Sequence, residues 1–348
     1  MSGKSVFLIG PGFIGREVLD RLVSEGYTVT ALARRKEHAA DLEQNSGAKT
    51  VLGSLDDKDL ITTQAASADI IFHTATADHL PSVQAVLAGV EKRAQEGKHT
   101  IYIHTSGTSV LDDDAKGQYK SDKIFSDDKP EDIDALPDTQ AHREIDLTIL
   151  RARKQLGTKA KVAIMIPPLI YGVNPKYKRT SIQLPTLTRF AIKKGYIGHV
   201  GKGASVWSQI HVFDLAQGFI TLLHWLEQTD AHKVLENPYF FCENGHEFAW
   251  GEASAVIGKE LYKAGKVSSP EPKTIPESDY KELFGDWTPW AIGSNSRSRA
   301  KRLRELGWQP KEKTLFESLA QDEVPLILQE KGLENFAGYG GVTAGGSS

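Results

Sequence analysis

The chain has 348 residues, 40% apolar and 25% charged, enough for a full core in one large domain or a domain with a smaller lobe. Its 42 lysines and arginines nearly balance 45 aspartates and glutamates, for a formal charge of -3, which argues against a nucleic-acid-binding face. A single cysteine, Cys242, excludes an intrachain disulfide and fits a reducing compartment. The opening residues lack a signal-peptide layout, and no apolar run approaches the roughly 20 residues that span a bilayer, so a cytoplasmic protein without membrane contact is expected.

In chain order, Ser5 to Ile9 reads as a strand and Gly15 to Ser24 as a helix, with Ile14, Val18 and Leu22 at four-residue spacing. Strands follow at Tyr27 to Ala33, Val51-Leu52, Asp69 to Thr74, Thr100 to His104 and Lys161 to Ile166. Their unbroken apolar character suits parallel strands buried on both faces. Strands alternating with helices predict an α/β fold: a Rossmann-type doubly wound parallel sheet with helices on both faces.

Between Leu111 and Pro137 the pattern breaks into an acidic, apolar-poor loop long enough for a lid or a solvated excursion. Pro137-Asp138 then opens a predicted helix with Asp138 as N-cap and Ile145, Ile149, Ala152 and Leu156 as its buried stripe. After Pro167-Pro168, glycine, proline and aromatic residues interleave, as in a smaller lobe. The expected division is a nucleotide domain at 1–170, its sheet completed by segments around 205–245, a substrate lobe at 171–330 and a flexible tail at 334–348.

The first strand runs directly into Gly10-Pro11-Gly12-Phe13-Ile14-Gly15 and a helix follows at once. Gly10 permits the tight turn, Gly12 admits a pyrophosphate to the backbone, and Gly15 lets helix and strand pack closely. The helix N-terminus then offers free N–H groups to phosphate. The second strand ends at Arg34-Arg35-Lys36. An acidic residue there would suit the ribose 2′-hydroxyl of NAD, whereas guanidiniums suit a 2′-phosphate, so NADP(H) is the expected cofactor.

With these motifs the chain resembles the extended or atypical short-chain dehydrogenases/reductases, in particular fungal NmrA-like and epimerase-like proteins. Gly53-Ser54-Leu55-Asp56 resembles the family segment beside the adenine, with Ser54 in place of an acid. Phe72-His73-Thr74-Ala75-Thr76 resembles the strand end along the cofactor, and Thr105 and Pro167 fall on further cofactor-lining positions. His211-Val-Phe-Asp214-Leu-Ala216 and Leu306-Gly-Trp308-Gln-Pro310 resemble the segments that tie the small lobe to the sheet and close the fold.

Reactive members of that family carry a hydroxyl residue after the fifth strand, and Tyr and Lys three residues apart on the next long helix. Here Ser106 and Thr108 fall in the hydroxyl region, but His142 and Asp146 stand near the Tyr and Lys positions. The resemblance therefore implies a missing proton donor, with His142 as its replacement and Asp146 orienting the ring; a purely structural His–Asp pair is the alternative. Tyr119-x-x-x-Lys123 matches the pattern, but in the acidic loop, out of structural context. Tyr171, Ser205 and Trp207 are expected to shape a substrate pocket, and Trp287 and Trp290 to pack the lobe. No cluster has metal-ligand spacing.

Three functions fit: an NADP(H)-dependent oxidoreductase for a small carbonyl or alcohol, a redox-neutral isomerase or epimerase that retains NADP, and a non-catalytic NADP sensor that would act on a protein partner.

Overall fold

Buried apolar runs alternating with amphipathic helices lay down the first half of the chain in strict strand–helix order, and the computed structural model describes residues 3–341. In sequence come β1 (Ser5–Ile9), α1 (Phe13–Ser24), β2 (Thr28–Ala33), α2 (Lys36–Ser46), β3 (Lys49–Leu52), α3 (Lys58–Ser67), β4 (Ile70–His73), α4 (Leu80–Gln95) and β5 (Thr100–Thr105). A short β6 (Phe125–Ser126) and α5 (Pro130–Asp134) precede α6 (Arg143–Leu156), β7 (Ala160–Ile166) and β8 (Leu169–Tyr171). The later part contributes α7 (Gln183–Lys194), β9 (Gly198–His199), β10 (Val206–His211), α8 (Val212–Gln228), α9 (Ala231–Glu236), β11 (Tyr239–Phe241), β12 (Glu247–Ala249) and α10 (Trp250–Lys263).

Seven strands form one parallel sheet in the order β11-β7-β5-β4-β1-β2-β3. The strand order reverses between β1 and β4, so a crevice opens beyond their carboxyl ends, where doubly wound sheets hold ligands. A second core gathers Leu169, Phe190, Trp207, Phe248, Trp250 and Ile257 around the three-stranded sheet β12-β10-β8. Asp214 joins the two: its carboxylate accepts from the Lys311 and Glu312 amides at 3.0 and 3.1 Å, and its carbonyl accepts from Trp308 Nε1 at 3.0 Å. Among the described residues no helix is long and apolar enough to cross a membrane.

Three features depart from the sequence reading. The acidic stretch 111–137 is stitched down rather than free. β6 pairs with Ser298–Arg299, and buried Asp127 accepts from the amides of Phe241, Lys301 and Arg302 at 3.0, 2.9 and 3.2 Å. Three N–H donors offset much of the cost of burying that carboxylate. Helix α6 begins at Arg143 and not at Asp138, because Gln140 Nε2 donates to the carbonyls of Val110 and Asp112 at 3.2 and 2.8 Å and His142 takes a left-handed φ of 65°. These tertiary bonds win over the local N-cap signal. Trp287, 67% exposed, and Trp290, 38% exposed, lie at the surface with their rings 5.9 Å apart instead of packing the lobe. Of the stretch 334–348, Phe336 is buried in the second core, and residues 342–348 lie outside the described ones.

Candidate functional site

The glycine turn is built as a backbone cradle. Gly10 has a φ of +88°, and a Cβ there would overlap the backbone of Ala75; a Cβ on Gly15 would overlap the Gly10 carbonyl and the Thr74 hydroxyl. Thr74 Oγ1 donates to the carbonyls of Ile9 and Gly10 at 3.1 and 2.9 Å, which locks the end of β4 to the turn. Helix α1 starts at Phe13 with Gly12 as N-cap, no side-chain cap and no acidic residue in its first turn. Its first N–H groups are thus left for an anion. Pro11 supplies no N–H, while Phe13 and Ile14 turn into the core.

Arg34 and Arg35, the residues after β2, are exposed. Arg35 stands close enough to His38 and Arg179 for its charge to bear on both. On the other side of β2, Leu55 packs against the core, while the Ser54 amide donates to Asp57 at 2.5 Å and its hydroxyl accepts from the Asp56 amide at 3.2 Å. Thr76 Oγ1 accepts from the Asp78 amide at 3.1 Å, which shapes the loop after β4.

The ends of β5 and β7 carry the other candidates. Ser106 Oγ donates to Asp146 Oδ2 at 2.9 Å, with both residues buried. Burial pushes the Asp146 carboxyl up to about 6, against the pull of the Ser106 bond. Thr105 Oγ1 and Thr108 Oγ1 are buried and meet no protein partner, while the Thr108 amide donates to the Pro167 carbonyl at 3.0 Å. His142, the N-cap of α6, donates from Nδ1 to Asp78 Oδ1 at 2.6 Å, and its Nε2 points toward Gly107, 3.2 Å from where a Cβ would stand. The carboxylate only accepts, so Nδ1 carries the proton and Nε2 is the nitrogen left for another partner.

This corrects one expectation: Asp146 orients Ser106 and not the ring of His142. The orienting acid is Asp78, which sequence reasoning missed. It lies 64 residues from His142, and only the adjacency of the β4 and β5 ends brings the two together. His73, at the end of β4, is buried and its Nε2 meets Ser82 Oγ at 2.9 Å. Burial lowers its pKa to about 4, so it stays neutral.

Tyr171, Ser205 and Trp207 are placed differently from expectation. All three are buried. Tyr171 donates to the Lys313 carbonyl at 2.7 Å and accepts from Asn244 at 3.0 Å; Ser205 donates to the Gly293 carbonyl at 2.5 Å, and Trp207 Nε1 to the Ser294 carbonyl at 2.8 Å. With their polar atoms committed, they hold the lobe together rather than line an open wall. Tyr119 is 51% exposed in the loop, and no metal-competent cluster of three ligands occurs among the described residues.

Residues 10–161 match the family model described as NAD(P)H-binding. The oxidase ucsJ of an Acremonium species is 29% identical over 329 residues, 88% of this chain and 93% of that protein. A Stigmatella aurantiaca ketoreductase, for 4-hydroxy-2-methyl-3-oxo-4-farnesyl-3,4-dihydroquinoline-1-oxide, is 32% identical over 115 residues, 30% of this chain and 33% of its own. Among solved structures, a double mutant of the dTDP-glucose 4,6-dehydratase DesIV from Streptomyces venezuelae, with NAD bound, superposes with a TM-score of 0.65 at 16% identity, over 94% of this chain and 98% of that one. The same fold therefore carries both chains.

Proposed function

We propose that the chain is an NADP(H)-dependent oxidoreductase, a reading supported by the match of residues 10–161 to a family model described as NAD(P)H-binding and by a fold shared with an epimerase and a dehydratase structure. Its substrate is a small organic carbonyl or alcohol, and His142 stands in for the usual tyrosine. The observation that carries this reading is the imidazole of His142 beside Gly107, just past β5, its Nδ1 held by Asp78 and its Nε2 facing Gly107 without a hydrogen-bonding carboxylate.

The residues present fit a dinucleotide. The α1 N-terminus, with side-chain-free Gly12 as its N-cap, would hold the pyrophosphate, while Gly10 and Gly15 let the turn pack against β4. Arg34 and Arg35 would meet a 2′-phosphate, and Ser54 and Leu55 would border the adenine. Ala75, Thr76, Thr105 and Pro167, at the ends of adjacent strands, would border the nicotinamide half. When bound there, the cofactor supplies or accepts a hydride.

The protein's own part is binding, orientation and proton management. Protonated His142 donates from Nε2 to a carbonyl oxygen, and Asp78 stabilises the imidazolium and fixes the ring plane. Thr108, with a hydroxyl free of protein partners, orients that oxygen. Ser106 is held by Asp146, which acts as a positioning residue. In the oxidative direction neutral Nε2 accepts the alcohol proton.

The test is turnover of NADPH against a panel of aldehydes and ketones, followed in the reduced-nicotinamide absorbance band. His142→Ala should lose turnover while binding NADPH within about twofold of the wild type. Equal turnover by the variant would remove His142 from the reaction.

A further inference from the structure

The fragment 174–179 belongs to the second lobe in sequence but folds onto the cofactor half. Asn174 and Arg179 face each other in an antiparallel bridge, closed by the Lys178 amide donating to the Asn174 carbonyl at 2.8 Å, with Lys178 at φ 51°. This hairpin is pinned along α1. Asn174 Nδ2 donates to Glu17 at 2.7 Å, Tyr177 donates to Asp20 at 2.5 Å, and the Arg16 guanidinium stacks 4.0 Å from the Tyr177 ring centre. Lys176 adds a bond to the Asn45 carbonyl at 2.8 Å, in the last turn of α2.

The pinning delivers one side chain to a defined place. Arg179 Nη1 donates to the Pro11 carbonyl inside the glycine turn at 3.3 Å, and Nη2 donates to His38 Nε2 in the first turn of α2 at 3.4 Å. The guanidinium thus spans the gap between the β1–α1 turn and the end of β2, the ground that an adenosine ribose crosses in a dinucleotide fold.

The acids around it are already engaged. Arg16, Arg35, Arg179 and His38 converge there, and the acids that bear on them are Asp41, Glu17 and Asp20. Asp41 is taken by Arg16 at 2.6 Å, Asp20 by Tyr177 and, at 3.5 Å, by Arg16, and Glu17 by Asn174. Among the described residues Arg179 has no ion pair of its own, although it is half-buried. Burial, and then the neighbouring Arg16, lower its pKa; burial, Arg179 and Arg16 do the same to His38. A half-buried guanidinium with no carboxylate of its own, held against the glycine turn by the Pro11 carbonyl, is placed to take an anionic ligand.

We propose that Arg179, reaching from the second lobe, is a ligand of the cofactor 2′-phosphate alongside Arg35 and His38, and so sets the preference for NADP(H) over NAD(H). This rests on the NADP(H) reading above, and adds to it a specificity residue far from the end of β2. Two planar guanidiniums on opposite sides of a phosphate can each engage two oxygens, while the neutral His38 ring offers its Nδ1–H or takes up a proton as the dianion arrives.

The experiment is equilibrium titration of the full chain with NADPH and with NADH, on wild type, Arg179→Met and Arg179→Lys, with 2′-AMP and 5′-AMP as fragment probes. The expected result is that R179M weakens NADPH and 2′-AMP about tenfold or more and leaves NADH and 5′-AMP within twofold; R179K falls between. Thermal unfolding of each variant identifies any that fail to fold, in which case R179K carries the comparison. Equal weakening of NADPH and NADH, or no change in either, overturns the clamp while leaving a wild-type preference for NADPH intact. A wild type that binds both cofactors alike overturns the NADP(H) reading itself, and the clamp with it.

Discussion

The imidazole of His142 lies tight against the space that a side chain on residue 107 would take: Nε2 lies 3.2 Å, and Cδ2 3.4 Å, from the ideal Cβ position on Gly107. A glycine at the end of β5 and a histidine at the start of α6 are therefore one arrangement. The missing side chain makes the room that the ring fills.

The first prediction follows from that fit. Gly107 has an extended φ of -160°, so an alanine is accepted by the backbone and its only conflict is with the ring. Gly107→Ala should push Nε2 off line by a few tenths of an ångström and lower kcat by up to about tenfold. NADPH affinity should stay within about twofold. Steady-state kinetics beside a binding titration checks this, and an unchanged kcat would separate the ring from the chemistry.

Asp78 is the second target. Its carboxylate accepts from Nδ1 at 2.6 Å and fixes the ring plane. Asp78→Asn, which keeps an acceptor, should lower kcat about tenfold, and Asp78→Ala, which removes it, about a hundredfold, with NADPH affinity within about twofold of wild type. Steady-state kinetics beside a binding titration checks this, and an unchanged kcat in the alanine variant would mark Asp78 as scaffolding only.

The third concerns Asp146, whose carboxyl is raised from 3.8 to about 6 by burial, with the Ser106 bond opposing. A carboxyl raised on folding binds its proton more tightly in the native state. Its contribution is thus fully present below about pH 4 and is lost as the pH rises through about 6. Asp146→Asn keeps an acceptor for Ser106 and removes the buried charge. It should raise the melting temperature by about 2 to 4 °C at pH 7.5 and by little near pH 4. A variant less stable than wild type at pH 7.5 would mean that the ionised carboxylate is satisfied by contacts stronger than the single Ser106 bond.

Much of the architecture is written in local pattern. The parallel core from β1 to β7, with its run of buried residues, follows from strand-length apolar segments that leave no polar face. The glycine turn is equally local, since spacing alone places Gly10 and Gly15 against the neighbouring strand end. What escapes is whatever distant segments decide together. Asp78 pairs with a histidine 64 residues away, and Gln140 cancels a helix start by reaching carbonyls 28 and 30 residues back. Asp127 reads as one more solvated acid until three amides from residues 241 to 302 converge on it. Nor does composition tell a tyrosine that faces a ligand from one such as Tyr171, whose hydroxyl is committed to Lys313 and Asn244.

The outermost strand beside β7 is contributed only at Tyr239–Phe241, and the hairpin braced on α1 only at 174–179. A ribosome that has released residues 1–170 has therefore not yet released a finished nucleotide half. The sheet edge waits for a late segment, and the brace along α1 waits for the other lobe. The two halves are interleaved in time as well as in space, so they cannot be exchanged between relatives by a single cut, and drift in one constrains the other.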